Sequence, residues 1–149
     1  LKNNRFRFVH FATHGLVNDD RPDYSGLALA GSGTDALLQA SEIFNLPINA
    51  DMVVLSACET GLGQLVKGEG MVGLTRAFMY AGASTVAVSL WSVSDQSTST
   101  LMREFYGHLR GADASKTEAL QRAKLTLLSD ESTAHPFHWA PFILVGLND

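Results

Sequence analysis

Two residues of this sequence have the chemistry of a nucleophile and its base: His14 and Cys58, the single cysteine of the chain. A cysteine attacks as the thiolate, and an imidazole within hydrogen-bond reach can take its proton. A lone cysteine in an apolar run is more often a buried and inert side chain. Cys58, however, follows the run "MVVLSA" and stands in a turn of small residues, where a strand would leave the core. This position favours a reactive thiol.

Four short apolar runs predict the strands that position these residues. Three of the runs are nearly continuous rather than alternating, which is typical of strands buried on both faces of a parallel sheet. Three stretches of helical periodicity lie in the second and third intervals between these strands, so we predict one domain over residues 1–149, an α/β sandwich with a largely parallel sheet. The predicted strands are "RFRFVHFA" (5–12), "DMVVLSA" (51–57), "STVAVSLW" (84–91) and "PFILVG" (141–146), and the predicted helices cover 68–82, 95–111 and 115–128.

Local signals fix the ends of these helices. Ser115 followed by Glu118 predicts a capping box, and Gly82 predicts the end of the first helix. Either Ser94 or Asp95 can serve as the N-cap of the second. The Gly-, Asp- and Ser-rich region 15–40 predicts a long excursion with a hairpin around "GLALAG".

The carboxyl ends of the strands are where an open α/β sheet collects its functional groups. His14 follows the first strand, Cys58 the second and Asp95 the third. We therefore expect His, Cys and Asp at one edge of the sheet. Gly15 has no side chain, so its N–H can approach a carbonyl oxygen and form an oxyanion hole with the Cys58 N–H.

Composition narrows the class of protein. A net charge of −4 without a basic block excludes a nucleic-acid-binding surface, and 46% hydrophobic with 17% charged residues is typical of a globular domain. A single cysteine cannot form an internal disulfide and fits a reducing compartment. No run is long enough to span a membrane and no signal peptide is visible, so we predict a cytoplasmic domain. No cofactor and no metal site are expected, because the histidines lack partners at ligand spacing.

The motifs resemble a known family, the CHAT domain, a caspase-like module often attached to TPR repeats. The resemblance covers about residues 5–147 and rests on "HFATHG", "VVLSACETGLG", "GEGMVGLTRAFMYAGASTVAVSLWSVSD" and "HPFHWAPFILVG". It implies a caspase-like α/β/α sandwich with a mostly parallel central sheet, related to caspases, metacaspases and separase. It also implies that His14 is the general base and Cys58 the nucleophile of a peptidase. Since caspase-like folds carry further elements before the His strand, we expect an N-terminally incomplete domain.

The resemblance extends to substrate binding. "LWSVSD" is similar to the separase stretch whose aspartate binds a basic P1 side chain, which implies that Asp95 lies in the S1 pocket. Trp91 and Ser92 would pair with an extended substrate backbone, by β-strand addition. Metacaspases place an acid two residues before the nucleophile, where this chain has Ser56, so the acid must be Asp95 or Glu59.

The resulting hypothesis is a cysteine endopeptidase that cuts a protein or peptide substrate after Arg or Lys and is regulated by an attached TPR-like repeat domain. Two alternatives stay open: a non-catalytic caspase-like scaffold that binds a partner, and a thiol amidohydrolase acting on small substrates. We interpret His10, within the first strand, as a packed or satisfied core histidine rather than a second base.

Overall fold

The described part of the chain folds into seven strands and four helices. The computed structural model describes residues 6–16, 18, 21, 24–31, 36–56, 69–111 and 114–147, with the backbone alone at 69–72. In chain order the elements are β1 (Phe6–Phe11), β2 (Gly15–Leu16), β3 (Gly26–Ala28), β4 (Leu37–Gln39), α1 (Ala40–Ile43), β5 (Ala50–Leu55), α2 (Glu69–Tyr80), β6 (Thr85–Ser89), α3 (Asp95–Arg110), α4 (Lys116–Leu128), a 3₁₀ turn (Pro136–His138) and β7 (Phe142–Gly146).

The central sheet has the strand order β1-β5-β6-β7. β1 pairs with β5 and β5 with β6 in parallel, whereas β7 runs antiparallel to β6. The four residues Met52 to Leu55 of β5 and all five residues of β6 are buried. Burial of successive residues is what a strand covered on both faces requires. The mostly parallel sheet predicted from the continuous apolar runs is therefore confirmed.

Two hydrophobic cores lie on opposite faces of this sheet. Val53 and Val86 belong to the core shared with α1 and α2. Met52 and Ala87, their neighbours in sequence, belong to the core shared with α3 and α4. Side chains of a strand point alternately to the two faces, so each central strand supplies both cores. The arrangement is the predicted α/β/α sandwich.

The three predicted helices, α2, α3 and α4, begin and end close to where the sequence indicates, whereas α1 was not predicted. On α3, Leu101, Phe105 and Leu109 are all buried against the sheet. Before α4, the Ser115 hydroxyl accepts from the Glu118 N–H and the Glu118 carboxylate accepts from the Ser115 N–H, which confirms the capping box. None of the described helices is long and apolar enough to cross a membrane.

A second, small antiparallel sheet follows β1, with the order β2-β3-β4. The segment "GLALAG" supplies its central strand, β3, which pairs with both neighbours. The prediction of one hairpin is thus confirmed and extended, because β2 adds a third strand. Leu27 of β3 is buried in the core with α1 and α2, which anchors this sheet to the domain.

Gly82 and Gly107 provide a matched pair of tests for this fold. Gly82 ends α2 with φ of +105°, and an added Cβ would lie 2.7 Å from the Ile48 carbonyl oxygen. Gly107, within α3, has nothing within 4 Å of its added Cβ. We expect Gly82→Ala to lower the free energy of unfolding by more than about 1 kcal/mol, because the backbone conformation and the contact are both unfavourable. Gly107→Ala should raise it by about 0.5–1 kcal/mol.

Urea denaturation of the two variants and the parent chain measures both effects. Equal stabilities for the two variants would contradict the described end of α2.

Candidate active site

The parallel pairing of β1 with β5 sets the geometry of the site. Phe11, the last residue of β1, pairs in register with Leu55, the last residue of β5, and the Ser56 N–H donates to the Phe11 carbonyl over 3.3 Å. His14 stands three residues after Phe11, and Cys58 stands three residues after Leu55. The two strand ends that carry the predicted base and nucleophile are therefore adjacent. Cys58 itself and Glu59 lie outside the described residues.

A cleft of about 500 Å³ opens between these strand ends and the first half of α3. One wall comes from α3 and the other from β1 and the residues after β1 and β5. The structure brings His14 and Asp95 to this same cleft, and both residues are exposed. The lining residues are His10, Ala12, Thr13, His14, Ser56, Asp95, Thr98, Ser99 and Met102.

The amino end of α3 is capped by a serine hydroxyl and not by the Asp95 carboxylate. Ser94 is the N-cap, and its hydroxyl oxygen accepts from the Ser97 N–H over 3.2 Å. Ser97 is buried, and its own hydroxyl bonds to Ser94 at 2.9 Å and to His138 Nδ1 at 3.0 Å. Of the two predicted caps, Ser94 is thus the one used. Asp95, the first residue of the helix, is not the cap and lines the cleft.

Trp91 and Ser92 do not line this cleft. The Trp91 indole N–H donates to the Phe137 carbonyl over 3.1 Å, and the ring stacks on Phe137 with centroids 6.5 Å apart. The contact of Trp91 and Ser92 with a substrate backbone remains a prediction. In the structure, the Trp91 indole N–H is used within the protein, by Phe137.

Gly15 is buried and pairs with Leu27 across β2 and β3. The adjacent Ala28 N–H donates to the His14 carbonyl over 2.8 Å. Hydrogen-bonded and non-hydrogen-bonded pairs alternate along an antiparallel ladder, so Gly15 and Leu27 form a non-hydrogen-bonded pair. The Gly15 N–H consequently points away from β3, and Gly15 is not among the residues that line the cleft, so its role in an oxyanion hole stays a prediction.

A hydrogen-bonded chain at the sheet wall was not anticipated from the sequence. His10 Nε2 lies 2.7 Å from the Ser56 hydroxyl, and His10 Nδ1 lies 3.0 Å from the Tyr106 hydroxyl. The prediction of a satisfied histidine is confirmed, because both ring nitrogens have partners, but its placement in the core is wrong. His10 is exposed, since β1 lies at the edge of the described sheet. The three residues come from β1, α3 and the end of β5, so no local sequence pattern links them.

Partial burial shifts the pKa values of two members of this hydrogen-bonded network, His10 and Tyr106. It lowers the pKa of His10 below 6.5, because the imidazolium loses hydration, and it raises the pKa of Tyr106 to about 12. At neutral pH, His10 is therefore uncharged and Tyr106 stays protonated. One nitrogen of the neutral His10 ring donates and the other accepts.

Comparison with known proteins identifies the family. A sequence model described as the CHAT domain matches residues 1–147. The chain belongs to the CHAT family. Among curated relatives, the proteins named Tetratricopeptide repeat protein 28 from Mus musculus and from Homo sapiens are each 34% identical over 131 residues. The aligned part covers 87% of this CHAT domain but 5% of each relative, so the chain spans a small fraction of their length.

The shifted pKa of His10 makes stability depend on pH. The unfolded chain binds a proton at this residue near pH 6.5, whereas the folded chain does so only at lower pH. The free energy of unfolding should therefore fall as the pH decreases below about 6.5 and level off below the folded pKa. His10→Gln should remove this part of the decrease.

Urea denaturation at pH 7.5 and at pH 5.5, for both chains, measures the difference. Identical pH dependence in the parent and the variant would show that the His10 ring is not shielded from water.

Proposed function

We propose that this CHAT domain is a cysteine endopeptidase in which Cys58 is the nucleophile and His14 the general base. The observation that supports it most is the register of β1 and β5, which ends both strands side by side, three residues before each of the two groups. Nucleophile and base from neighbouring parallel strands need only short loops to meet. The exposed His14 at the mouth of a cleft is accessible to a peptide.

The proposed reaction begins with transfer of the Cys58 thiol proton to His14. The thiolate attacks the scissile carbonyl carbon, and the Gly15 and Cys58 N–H groups stabilise the resulting oxyanion. The His14 imidazolium then protonates the leaving amine as the C–N bond breaks, leaving a thioester on Cys58. Water, deprotonated by His14, hydrolyses the thioester and restores the thiol.

Asp95 gives the proposed cleft its preference for a basic P1 residue. It is the acidic residue among the described residues that line the cleft, and Ser94 rather than Asp95 caps the helix. A carboxylate can accept two parallel N–H bonds from a guanidinium, which favours Arg and accommodates Lys. With Ser56 two residues before the nucleophile, Asp95 supplies the charge that metacaspases place there.

Regulation by attached repeats is part of the proposal. The relatives that match this domain are named for tetratricopeptide repeats, and the domain corresponds to 5% of their length. We propose that such repeats flank this domain and control access to its cleft. A lone catalytic thiol also favours a reducing compartment such as the cytoplasm, where it is not lost to disulfide exchange.

A fluorogenic peptide panel tests the catalytic pair. Peptides with Arg or Lys at P1 should be cleaved by the parent chain, and Cys58→Ala should abolish this cleavage. His14→Ala should reduce kcat by about 10²–10⁴ because the thiol loses its base. His135→Ala, an exposed histidine outside the cleft, is the matched control and should retain parental kcat.

Cleavage that persists in Cys58→Ala would refute the assignment. Absence of Cys58-dependent cleavage, even in the presence of the flanking repeats, would favour the scaffold, and turnover of small amides alone would favour the amidohydrolase.

Asp95→Asn tests the P1 preference separately. Loss of the charge should lower kcat/KM for P1 Arg peptides by about 10- to 100-fold, since one charge-assisted contact is removed. It should leave any slow cleavage after neutral residues unchanged. The control is Asp130→Asn, an exposed aspartate after α4 whose carboxylate bonds to Ser132. An equal loss for neutral and basic P1 peptides would assign Asp95 a structural role instead.

A further inference from the structure

The wall of the cleft across from Asp95 is also polar, and His10 forms two hydrogen bonds there. On this wall, the Ser56 hydroxyl contacts His10 Nε2, and the Tyr106 hydroxyl contacts His10 Nδ1. Ser56 and His10 line the cleft, whereas Tyr106 does not. The cleft end of this chain of hydrogen bonds is therefore the Ser56 hydroxyl.

Two proton arrangements are possible along this chain while His10 is neutral. In one, the Ser56 O–H donates to Nε2 and Nδ1–H donates to Tyr106, which leaves lone pairs of Ser56 facing the cleft. In the other, Tyr106 donates to Nδ1 and Nε2–H donates to Ser56, whose own proton then turns toward the cleft. A cationic ligand that donates N–H bonds favours the first arrangement. Protonation of His10 excludes the first arrangement, because both ring nitrogens then carry hydrogen: Nε2–H donates to Ser56, whose proton turns toward the cleft, and Nδ1–H donates to Tyr106.

We propose that Ser56 is a second acceptor for the basic side chain bound by Asp95, and that neutral His10 keeps it an acceptor by taking its hydroxyl proton. The ligand class is an alkylguanidinium or alkylammonium group. The inference rests on the proposed basic-P1 cleft and adds a specificity residue, Ser56, and a residue that positions its proton, His10. A guanidinium has five N–H donors, so it can reach Asp95 and Ser56 together, which favours Arg over Lys.

A dependence on pH follows from the surroundings of His10. Its lowered pKa keeps the ring neutral, and so the cleft receptive, at pH 7 and above. As the pH falls through that pKa, the imidazolium both turns the Ser56 hydroxyl outward and repels the cation. Affinity for a basic ligand should therefore decrease toward acid pH. Among the described residues, the titratable or charged side chains that share the cleft with His10 are His14 after β1 and Asp95 on α3, and Tyr106 on α3 bonds to the ring. The residue that follows β5, Ser56, is uncharged.

Binding of n-butylguanidinium to the full chain carrying Cys58→Ala tests this without relying on catalysis. Chemical-shift titrations between pH 5 and pH 8 give the dissociation constant. Ser56→Ala should weaken binding at pH 7.5 by about tenfold, the effect of one hydrogen bond to a charged group, and Ser56→Thr, which retains a hydroxyl, should restore it. The advantage of n-butylguanidinium over n-butylammonium should shrink in Ser56→Ala.

His10→Gln tests the proton arrangement. The amide can still accept from Ser56 but does not titrate, so binding at pH 7.5 should persist and the decline toward pH 5 should flatten. His135→Gln, at an exposed histidine away from the cleft, should follow the parental pH curve.

The outcomes separate this inference from the proposed function. Asp95-dependent binding that is indifferent to Ser56→Ala, or an unchanged pH curve in His10→Gln, overturns the inference and leaves the basic cleft standing. No saturable binding overturns both the inference and the basic-P1 assignment. Binding with the expected Ser56 and His10 effects, in a chain whose parent shows no Cys58-dependent cleavage even in the presence of the flanking repeats, refutes the peptidase and supports the inference.

Discussion

The parallel ladder between β1 and β5 is the constraint on which the site depends. Its register places Phe11 opposite Leu55, and the hydrogen bond from Ser56 to Phe11 carries the pairing one residue beyond the strand end. Shifting the register by one residue would exchange the faces of β1, moving Phe8 out of the core with α3 and α4. The hydrophobic pattern that fills the two cores therefore also fixes where the segments carrying His14 and Cys58 leave the sheet.

The opposite wall depends on how α3 is fastened. Its buried stripe packs on one face of the sheet, its first turn is capped by Ser94, and Ser97 joins it to His138. Tyr106, further along α3, bonds to His10 on the edge strand. These contacts fix the first turn of α3 and the turn beyond the residues that line the cleft. Asp95 is therefore presented by a rigid helix rather than by a loop. Rigid presentation reduces the entropy lost when a charged ligand is bound.

The features that could be predicted from the sequence are those set by residues close together along the chain. Continuous apolar runs predicted the four strands of the central sheet, and local signals such as Ser115 with Glu118 predicted helix ends. The gathering of His14 and Asp95 also followed, since parallel strands share one carboxyl edge. The small sheet was only half predicted, because strands of two and three residues carry little periodicity.

The contacts that escaped prediction are long-range and between side chains. His10 and Tyr106 are 96 residues apart, and His10 and Ser56 are 46 apart, so their bonds depend on tertiary packing alone. Trp91 is a second case in which the sequence does not predict a side-chain contact. Its motif resembled a substrate-binding stretch. In the structure, its indole N–H donates a hydrogen bond to the carbonyl of Phe137, in the 3₁₀ turn that follows α4.

The rate at which iodoacetamide alkylates Cys58 tests the central claim most directly, because it reports whether His14 activates the thiol whatever the substrate. If the two groups form a dyad, alkylation at pH 6 should be much faster than in the urea-unfolded chain, and His14→Ala should slow it to the unfolded rate. An ordinary thiol with a pKa near 8.5 is almost fully protonated at that pH and reacts slowly. A slow rate in the folded chain that His14→Ala does not change would contradict the account.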